Sequence, residues 1–174
     1  MKTILFMATS VNGYVARENG QEDFISHESW ESFCNLAKEC GCFVIGRKTY
    51  EVVKSWNDET YNFDSIIGVQ KVIVSANSEF TTDEDYIIAN SPNDAVEKLS
   101  GKGFEKMLVV GGATNNSSFM RAGLVDEIVL SVEPFVLGSG IPIFSKEDFG
   151  YSLELIDIKQ KENGLVQLHY KVKK

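Results

Sequence analysis

The sequence predicts a three-layer α/β/α domain on a mixed, mostly parallel sheet that ends in an antiparallel C-terminal hairpin. Three observations predict it. Short apolar runs recur at Cys42-Phe43-Val44-Ile45, Lys71-Val72-Ile73-Val74 and Lys106-Met107-Leu108-Val109-Val110, the first of them apolar throughout, as expected of strands buried on both faces of a parallel sheet. Amphipathic, helix-like stretches separate the runs. Near the C-terminus the pattern changes: Val166, Leu168, Tyr170 and Val172 alternate strictly with polar residues, and Asn163-Gly164 precedes them. Asn-Gly between alternating segments is the strongest short hairpin signal.

Lys2 to Thr9 is apolar and β-prone, and Gly13 to Ala16 extends it past a bend. Arg17 to Asp23 reads as a loop. Ser26 is placed to cap a helix, with Glu28 and Glu31 in its first turn and Trp30, Phe33, Cys34 and Ala37 as its apolar stripe. Gly41 suits the left-handed position that ends it. The Cys42 to Ile45 strand turns at Gly46 into a short helix over about Thr49 to Lys54. Strands at Lys71 to Ser75 and Tyr86 to Ala89 follow. Ser91 then caps a helix with Pro92 at its first position. Gly111-Gly112 closes the strand at Lys106 to Val110, and a helix from about Asn115 to Ala122 stops at Gly123. Glu127 to Val132 is the last strand before the hairpin, whose first arm carries Leu153, Leu155 and Ile158.

The 174 residues suit one domain, residues 1–174, and 43% of them are apolar, enough for a real core. A net charge of −8 disfavours nucleic acid, because the chain repels a phosphate backbone at long range. A small anion stays open to it through backbone N–H groups and local cations. Met1 to Ala8 is too short an apolar run, and too strand-like, for a secretory leader. No stretch reaches the ~18 apolar residues of a membrane span. These points give the expectation of a cytoplasmic protein with no membrane contact. Cys34, Cys40 and Cys42 are odd in number, and Cys40-x-Cys42 lacks the spacing of a zinc or redox pair; His27 and His169 stand far off. No metal site is expected.

There is no P-loop, no Gly-x-Gly-x-x-Gly after a strand and no Gly-x-Ser-x-Gly elbow. Two strand-to-helix junctions remain. At Gly46-Arg47-Lys48-Thr49 a helix N-terminus offers free N–H groups, two cations and a hydroxyl, which suits a phosphate. At Gly111-Gly112-Ala113-Thr114 there is no cation. Its two glycines let backbone N–H groups come close to a pyrophosphate. Both junctions lie at carboxyl ends of strands, where open α/β sheets bind ligands.

The same residues carry a resemblance. Val44-Ile45-Gly46-Arg47-Lys48-Thr49-Tyr50-Glu51, Val72-Ile73-Val74-Ser75 and Met107 to Thr114 resemble, in order and spacing, the corresponding elements of dihydrofolate reductases. Ser10-Val11-Asn12-Gly13-Tyr14-Val15-Ala16 is similar to the first-strand motif of the RibD C-terminal (reductase) domain of bacterial riboflavin biosynthesis. So is Gly123-Leu124-Val125-Asp126-Glu127-Ile128, with Pro134 and Leu137 to Phe144, to its late signature.

The resemblance implies a dihydrofolate reductase-like fold and an NADPH-dependent reductase, most like 5-amino-6-(5-phosphoribosylamino)uracil reductase. Arg47, Lys48, Thr49 and Ser75 would hold the 2′-phosphate side of NADPH and its phosphates. Gly111, Gly112, Ala113 and Thr114 would hold the pyrophosphate, and the nicotinamide would lie near Ala8 and Thr9. Substrate would meet Asn12, Ser29 and Trp30. Where dihydrofolate reductases carry a carboxylate on the first helix, counting back from Gly46 places Trp30, between Ser29 and Glu31; where riboflavin reductases carry Asp, Asn12 stands. The resemblance assigns no proton donor to a residue of this sequence. The other readings are dihydrofolate reductase proper and a nucleotide-binding module without turnover. The family implies a homodimer.

Overall fold

A computed structural model describes residues 1–82 and 85–174. Among the described residues, ten strands, four α-helices and two single 3-10 turns run in the order β1 Lys2–Ser10, β2 Tyr14–Ala16, α1 His27–Cys40, β3 Cys42–Gly46, α2 Arg47–Ser55, a turn at Phe63–Ser65, β4 Gln70–Val74, β5 Tyr86–Ala89, α3 Pro92–Gly101, β6 Lys106–Val109, α4 Ala113–Arg121, β7 Glu127–Glu133, β8 Ile141–Pro142, β9 Ser152–Gln160, a turn at Glu162–Gly164 and β10 Val166–Lys173. Eight strands form one sheet in the order β5-β4-β3-β6-β1-β7-β10-β9, with β2 and β8 as a separate pair. Pairing is parallel from β5 to β7, and antiparallel for β7–β10 and β10–β9. The three-layer mixed architecture read from the sequence is the one observed.

Both sheet faces are covered, as the unbroken apolar strands require. In β3, Phe43 and Ile45 join Phe33, Tyr50 and Ile73 under α1 and α2. Cys42 and Val44 join Leu5, Val109, Leu99 and Phe119 under α3 and α4. Phe43 and Phe119 have no exposed surface, and each such side chain contributes about 1.5–3 kcal/mol by leaving water. Ser26 caps α1 by accepting from the Ser29 N–H, and Gly41 ends it at φ +74. Ser91 caps α3 in the same way, with Pro92 in the first turn.

The structure departs from expectation at three places. First, α2 and α4 begin at Arg47 and Ala113, two residues earlier than the sequence pattern suggests. Gly46 and Gly112 occupy the cap positions themselves, so each helix leaves its junction with no intervening loop. Second, Tyr14–Ala16 does not prolong β1. Gly13 turns the chain at φ +84, and the segment pairs with β8. Third, every residue of β9 is exposed. The strand pairs beyond the reach of the helix layers, so the apolar side of its alternation is uncovered.

Among the described residues no helix is long and apolar enough to cross a membrane. No group of three or more His, Cys, Asp or Glu is placed to hold a metal ion among them. The three thiols are free. Burial pushes Cys40 up to about 11 and Cys42 up to about 12, so neither is a ready nucleophile.

Candidate active site

The chain leaves β3 toward β4 on one side and leaves β6 toward β7 on the other, while β3 and β6 are sheet neighbours. This is a topological switch point, where a crevice opens at the carboxyl ends of the strands. The two glycine junctions stand at those two ends. α2 packs on one sheet face and α4 on the other, so their N-termini flank the crevice.

The helix starts differ in chemistry. α1 and α3 satisfy an N-terminal N–H with a serine hydroxyl. α2 and α4 begin with glycine and have no side-chain cap. An uncapped helix start leaves donors and the positive end of the helix dipole available to an anion.

The junctions touch. The Gly46 N–H donates to the Gly111 carbonyl at 2.8 Å, and the Val110 N–H donates to Val44 at 3.0 Å. Asn115 Nδ2 donates to the same Gly111 carbonyl at 3.0 Å. Gly111 holds φ +97, a conformation that favours glycine, and a Cβ on Gly112 would stand 2.6 Å from Thr49 Oγ1. Gly46-to-Thr49 and Gly111-to-Thr114 therefore form the two walls of one cradle, closed by the absence of side chains.

The other expected residues lie around this cradle. Arg47 is partly buried; its Nη1 donates to Glu51 at 2.7 Å, and its guanidinium carbon is 6.0 Å from the Phe80 ring centre. Lys48 is exposed, with no ion-pair partner among the described residues. Ser75 follows β4, one strand over from Gly46, and is buried in a turn where its Oγ accepts from the Asn77 N–H. β1 pairs with β6 as far as Leu5 and Val109; Ala8 lies three residues farther along β1, and a Cβ on Gly111 would meet the adjacent Met7 side chain at 3.4 Å. Thr9 is buried with its hydroxyl on the Tyr14 and Ser10 carbonyls. Thr114 Oγ1 lies 3.1 Å from Ser145 Oγ. Asn116 Nδ2 and Ser117 Oγ also donate to the 143–145 backbone, so the late signature straps the start of α4.

The three expected substrate residues divide. Asn12 has its amide engaged: Nδ2 donates to the Leu137 carbonyl at 2.6 Å, and Oδ1 accepts from Leu137 N–H and Ser10 Oγ. It ties the β1 turn to the loop after β7. Trp30 is half-buried in an aromatic group, edge-on to Phe33 and Tyr61 and stacked with Phe63. Ser29 is buried and points to the sheet.

There Ser29 meets a residue the sequence reading passed over. Glu133, the last residue of β7, is 3% exposed. Its Oε1 accepts from Ser26 N–H at 2.9 Å, Ser26 Oγ at 2.8 Å and Ser29 Oγ at 2.6 Å. The available signal was the alternation Val129, Ser131, Glu133 on the α1 side of β7. A carboxylate at such a position is costly to bury unless it is bonded. By contrast, Asp126 and Glu127 are structural: Asp126 accepts from Thr3 N–H and Lys174, and Glu127 pairs with Lys2 and His169.

Asn115 is 7% exposed and Asn116 fully buried, and the Oδ1 atom of each has no partner among the described residues. Buried acceptors of this kind call for a donor. Asn115 sits between the junctions, where a ribose hydroxyl or a carboxamide would supply one. Uncapped donors, a Cβ-free gap, two cations on one wall and none on the other all suit a phosphate-bearing dinucleotide.

Known proteins resemble this chain in sequence and in fold. The sequence profile of the RibD C-terminal domain matches residues 1–167. The chain is 28% identical over 179 residues to an uncharacterized protein, YwjB, of Bacillus subtilis, covering 97% of each. It is 22% identical over 170 residues to the 2,5-diamino-6-ribosylamino-4(3H)-pyrimidinone 5′-phosphate reductase of Methanothermobacter thermautotrophicus, covering 78% of each. The solved structure of a putative riboflavin biosynthesis protein from Shewanella sp. PV-4 superposes with a TM-score of 0.82 at 24% identity, over the whole of both chains. With the profile spanning nearly every element that builds the cradle, the chain belongs to the RibD C-terminal domain family, as a reductase-like domain.

Proposed function

We propose that this protein is an NADPH-dependent reductase of a small heterocyclic substrate, most like 5-amino-6-(5-phosphoribosylamino)uracil reductase. The observation that carries the reading is the meeting of two glycine-started, uncapped helix N-termini across β3 and β6, one wall cationic and the other not. Arg47, Lys48, Thr49 and Ser75 take the adenosine 2′-phosphate end. Gly111 to Thr114 offer backbone donors to the pyrophosphate, and Ala8 and Thr9 floor the nicotinamide. When bound, NADPH supplies a hydride; the chain binds it, orients it and keeps the cradle closed to side chains. The experiment is titration with NADPH, read by quenching of Trp30 and Trp56 fluorescence, followed by loss of NADPH absorbance when substrate is added. Saturable quenching and substrate-dependent oxidation are expected. Quenching with no oxidation by any phosphorylated aminopyrimidine or by dihydrofolate would leave a binding module without turnover.

The same reading includes a homodimer. All nine residues of the edge strand β9 are exposed, and Leu153, Leu155, Ile156 and Ile158 retain 41–55% of their surface. An edge strand with so much apolar surface is a pairing site unless covered. Light scattering is expected to give twice the chain mass, and Leu155→Lys with Ile158→Lys is expected to give the monomer. A wild-type monomer at micromolar concentration would overturn the homodimer.

A further inference from the structure

Reduction needs a proton as well as a hydride, and no side chain of the cradle is an acid near neutrality. The loop between β2 and α1, Arg17 to Ile25, carries one to the crevice. Its two ends are fixed on different elements. At one end Ser26 is bonded to Glu133, the last residue of β7, and Phe24 stacks on Phe135 just beyond, with centroids 5.1 Å apart. At the other end the loop reaches α2: a Cβ on Gly20 would stand 3.5 Å from Val52 Cγ1. Val52 lies one turn after Lys48, on the same side of the helix. β7 and β3, which leads into α2, are separated in the sheet by β1 and β6. Three strand spacings of ~4.8 Å make roughly 14 Å, within the reach of the chain from Gly20 to Ser26 at ~3.3 Å per residue. The loop therefore crosses the mouth of the crevice, over the strand ends that carry Ala8, Thr9 and Gly111.

The loop is braced. Arg17 Nε and Nη2 donate to the two carboxylate oxygens of Asp23 at 2.6 and 2.9 Å. The Arg17 N–H donates to the Gln21 carbonyl, and the Ile25 N–H to the Glu22 carbonyl. Between these braces the Glu22 side chain has no hydrogen bond or ion pair among the described residues. Glu22 is exposed, yet poor hydration among the surrounding protein pushes its carboxyl up to about 7. A side chain that is open to solvent and still desolvated stands in a concave wall, not on a convex tip. The carboxylates of the neighbouring elements are engaged instead: Asp23 by Arg17, Glu51 of α2 by Arg47, Glu28 and Glu31 of α1 by Asn163 and His27, and Glu133 by Ser26 and Ser29. Lys48 is the cation on the side of α2 that the loop meets.

We propose that Glu22 is a catalytic residue, the general acid that gives the substrate the proton accompanying the hydride. This rests on the reductase reading above, which sets the nicotinamide at Ala8 and Thr9, beneath the loop. Hydride addition to a C=N or C=O bond forms one C–H bond and breaks one π bond, and the nitrogen or oxygen that takes the electron pair needs a proton. The Glu22 carboxyl O–H supplies it. The carboxylate left behind takes a proton back from water on the open side of the crevice. A carboxyl with the ordinary value of ~4.3 is ionised at neutral pH and has no proton to give, whereas one that titrates near the working pH is a good acid.

The test reads the carboxyl directly, on the full chain with its glutamate carboxyls labelled with carbon-13. Magnetic resonance is expected to show one glutamate titrating near neutrality, missing in Glu22→Gln. Saturating NADPH is expected to raise that midpoint by about half a pH unit or more, because the cofactor takes water from around the carboxyl. In turnover with 5-amino-6-(5-phosphoribosylamino)uracil, Glu22→Gln is expected to lower kcat at neutral pH by about 100-fold or more, with the Kd for NADPH changed less than about threefold. The wild-type kcat/KM falls as pH rises through the carboxyl's midpoint, and the variant lacks that fall. Glu22 has no side-chain hydrogen bond to lose, so Glu22→Gln leaves the fold intact. A Glu22 carboxyl that titrates in the ordinary range, one that bound NADPH leaves unmoved, or a variant that keeps more than about a tenth of kcat overturns the proposal. The carboxyl readout needs no substrate and decides alone if that compound is not turned over. The reductase reading fails on a different readout: no quenching by NADPH.

Discussion

Gly112→Ala is expected to cost the protein both cofactor affinity and stability, with NADPH binding weaker by about 10–100-fold. The added Cβ would stand 2.6 Å from Thr49 Oγ1, closer than such atoms approach, so Thr49, in the first turn of α2, must give way by turning its side chain or by moving with its helix away from α4. Overpacking of this kind costs about 1–3 kcal/mol. The displaced group is the start of α2, whose free N–H groups and Arg47 face the phosphates, so the loss appears in binding as well as in melting temperature. A cycle with Thr49→Ala separates the two effects. Thr49→Ala removes the obstructing oxygen, so the double variant should recover melting temperature while NADPH stays weak. If Gly112→Ala alone binds NADPH as the wild type does, the two junctions do not share a ligand.

Arg47→Ala should weaken NADPH by about 10–100-fold and NADH by less than about threefold. A charge-assisted hydrogen bond to a phosphate is worth about 1.5–3 kcal/mol, and only NADPH carries the 2′-phosphate. Arg47 commits one donor, Nη1, to Glu51 at 2.7 Å, which leaves the rest of its fork for a ligand. Raised salt should weaken NADPH more steeply in the wild type than in the variant, as for any exposed ionic contact. Equal loss of both cofactors would place Arg47 on a part they share, and no loss would remove it from the site.

Much of the fold was legible because the signals are local. The buried run at Cys42 to Ile45, the caps at Ser26 and Ser91, the stop at Gly41 and the Asn163-Gly164 turn each follow from a few neighbouring residues, and the structure carries each of them out. The starts of α2 and α4 were misplaced by two residues for an informative reason. Glycine gives no side-chain cap, so the usual start signal is missing, and the same omission leaves the N–H groups open. The exposure of β9 was not readable, since alternation reports that a strand has an apolar side and not that anything covers it.

The candidate site divides along the same line. Gly46 to Thr49 and Gly111 to Thr114 stood out individually by composition at strand ends. Their contact, through Gly46 N–H to the Gly111 carbonyl and the Gly112–Thr49 approach, joins residues more than 60 positions apart. Glu133 gave a weaker signal still. An acidic residue ending a strand is ordinary in sequence, and it becomes notable only when Ser26 and Ser29 bring their hydroxyls to it.

By itself, then, the sequence determined the layers, the parallel strands and the two glycine-led helix starts, because apolar period, capping and turn chemistry act within a few residues. The tertiary structure alone decided that β3 and β6 lie side by side, that their helices open onto one crevice, and that a β7 carboxylate sits beneath α1. Those are long-range pairings, set by which faces bury each other, and no local pattern encodes them.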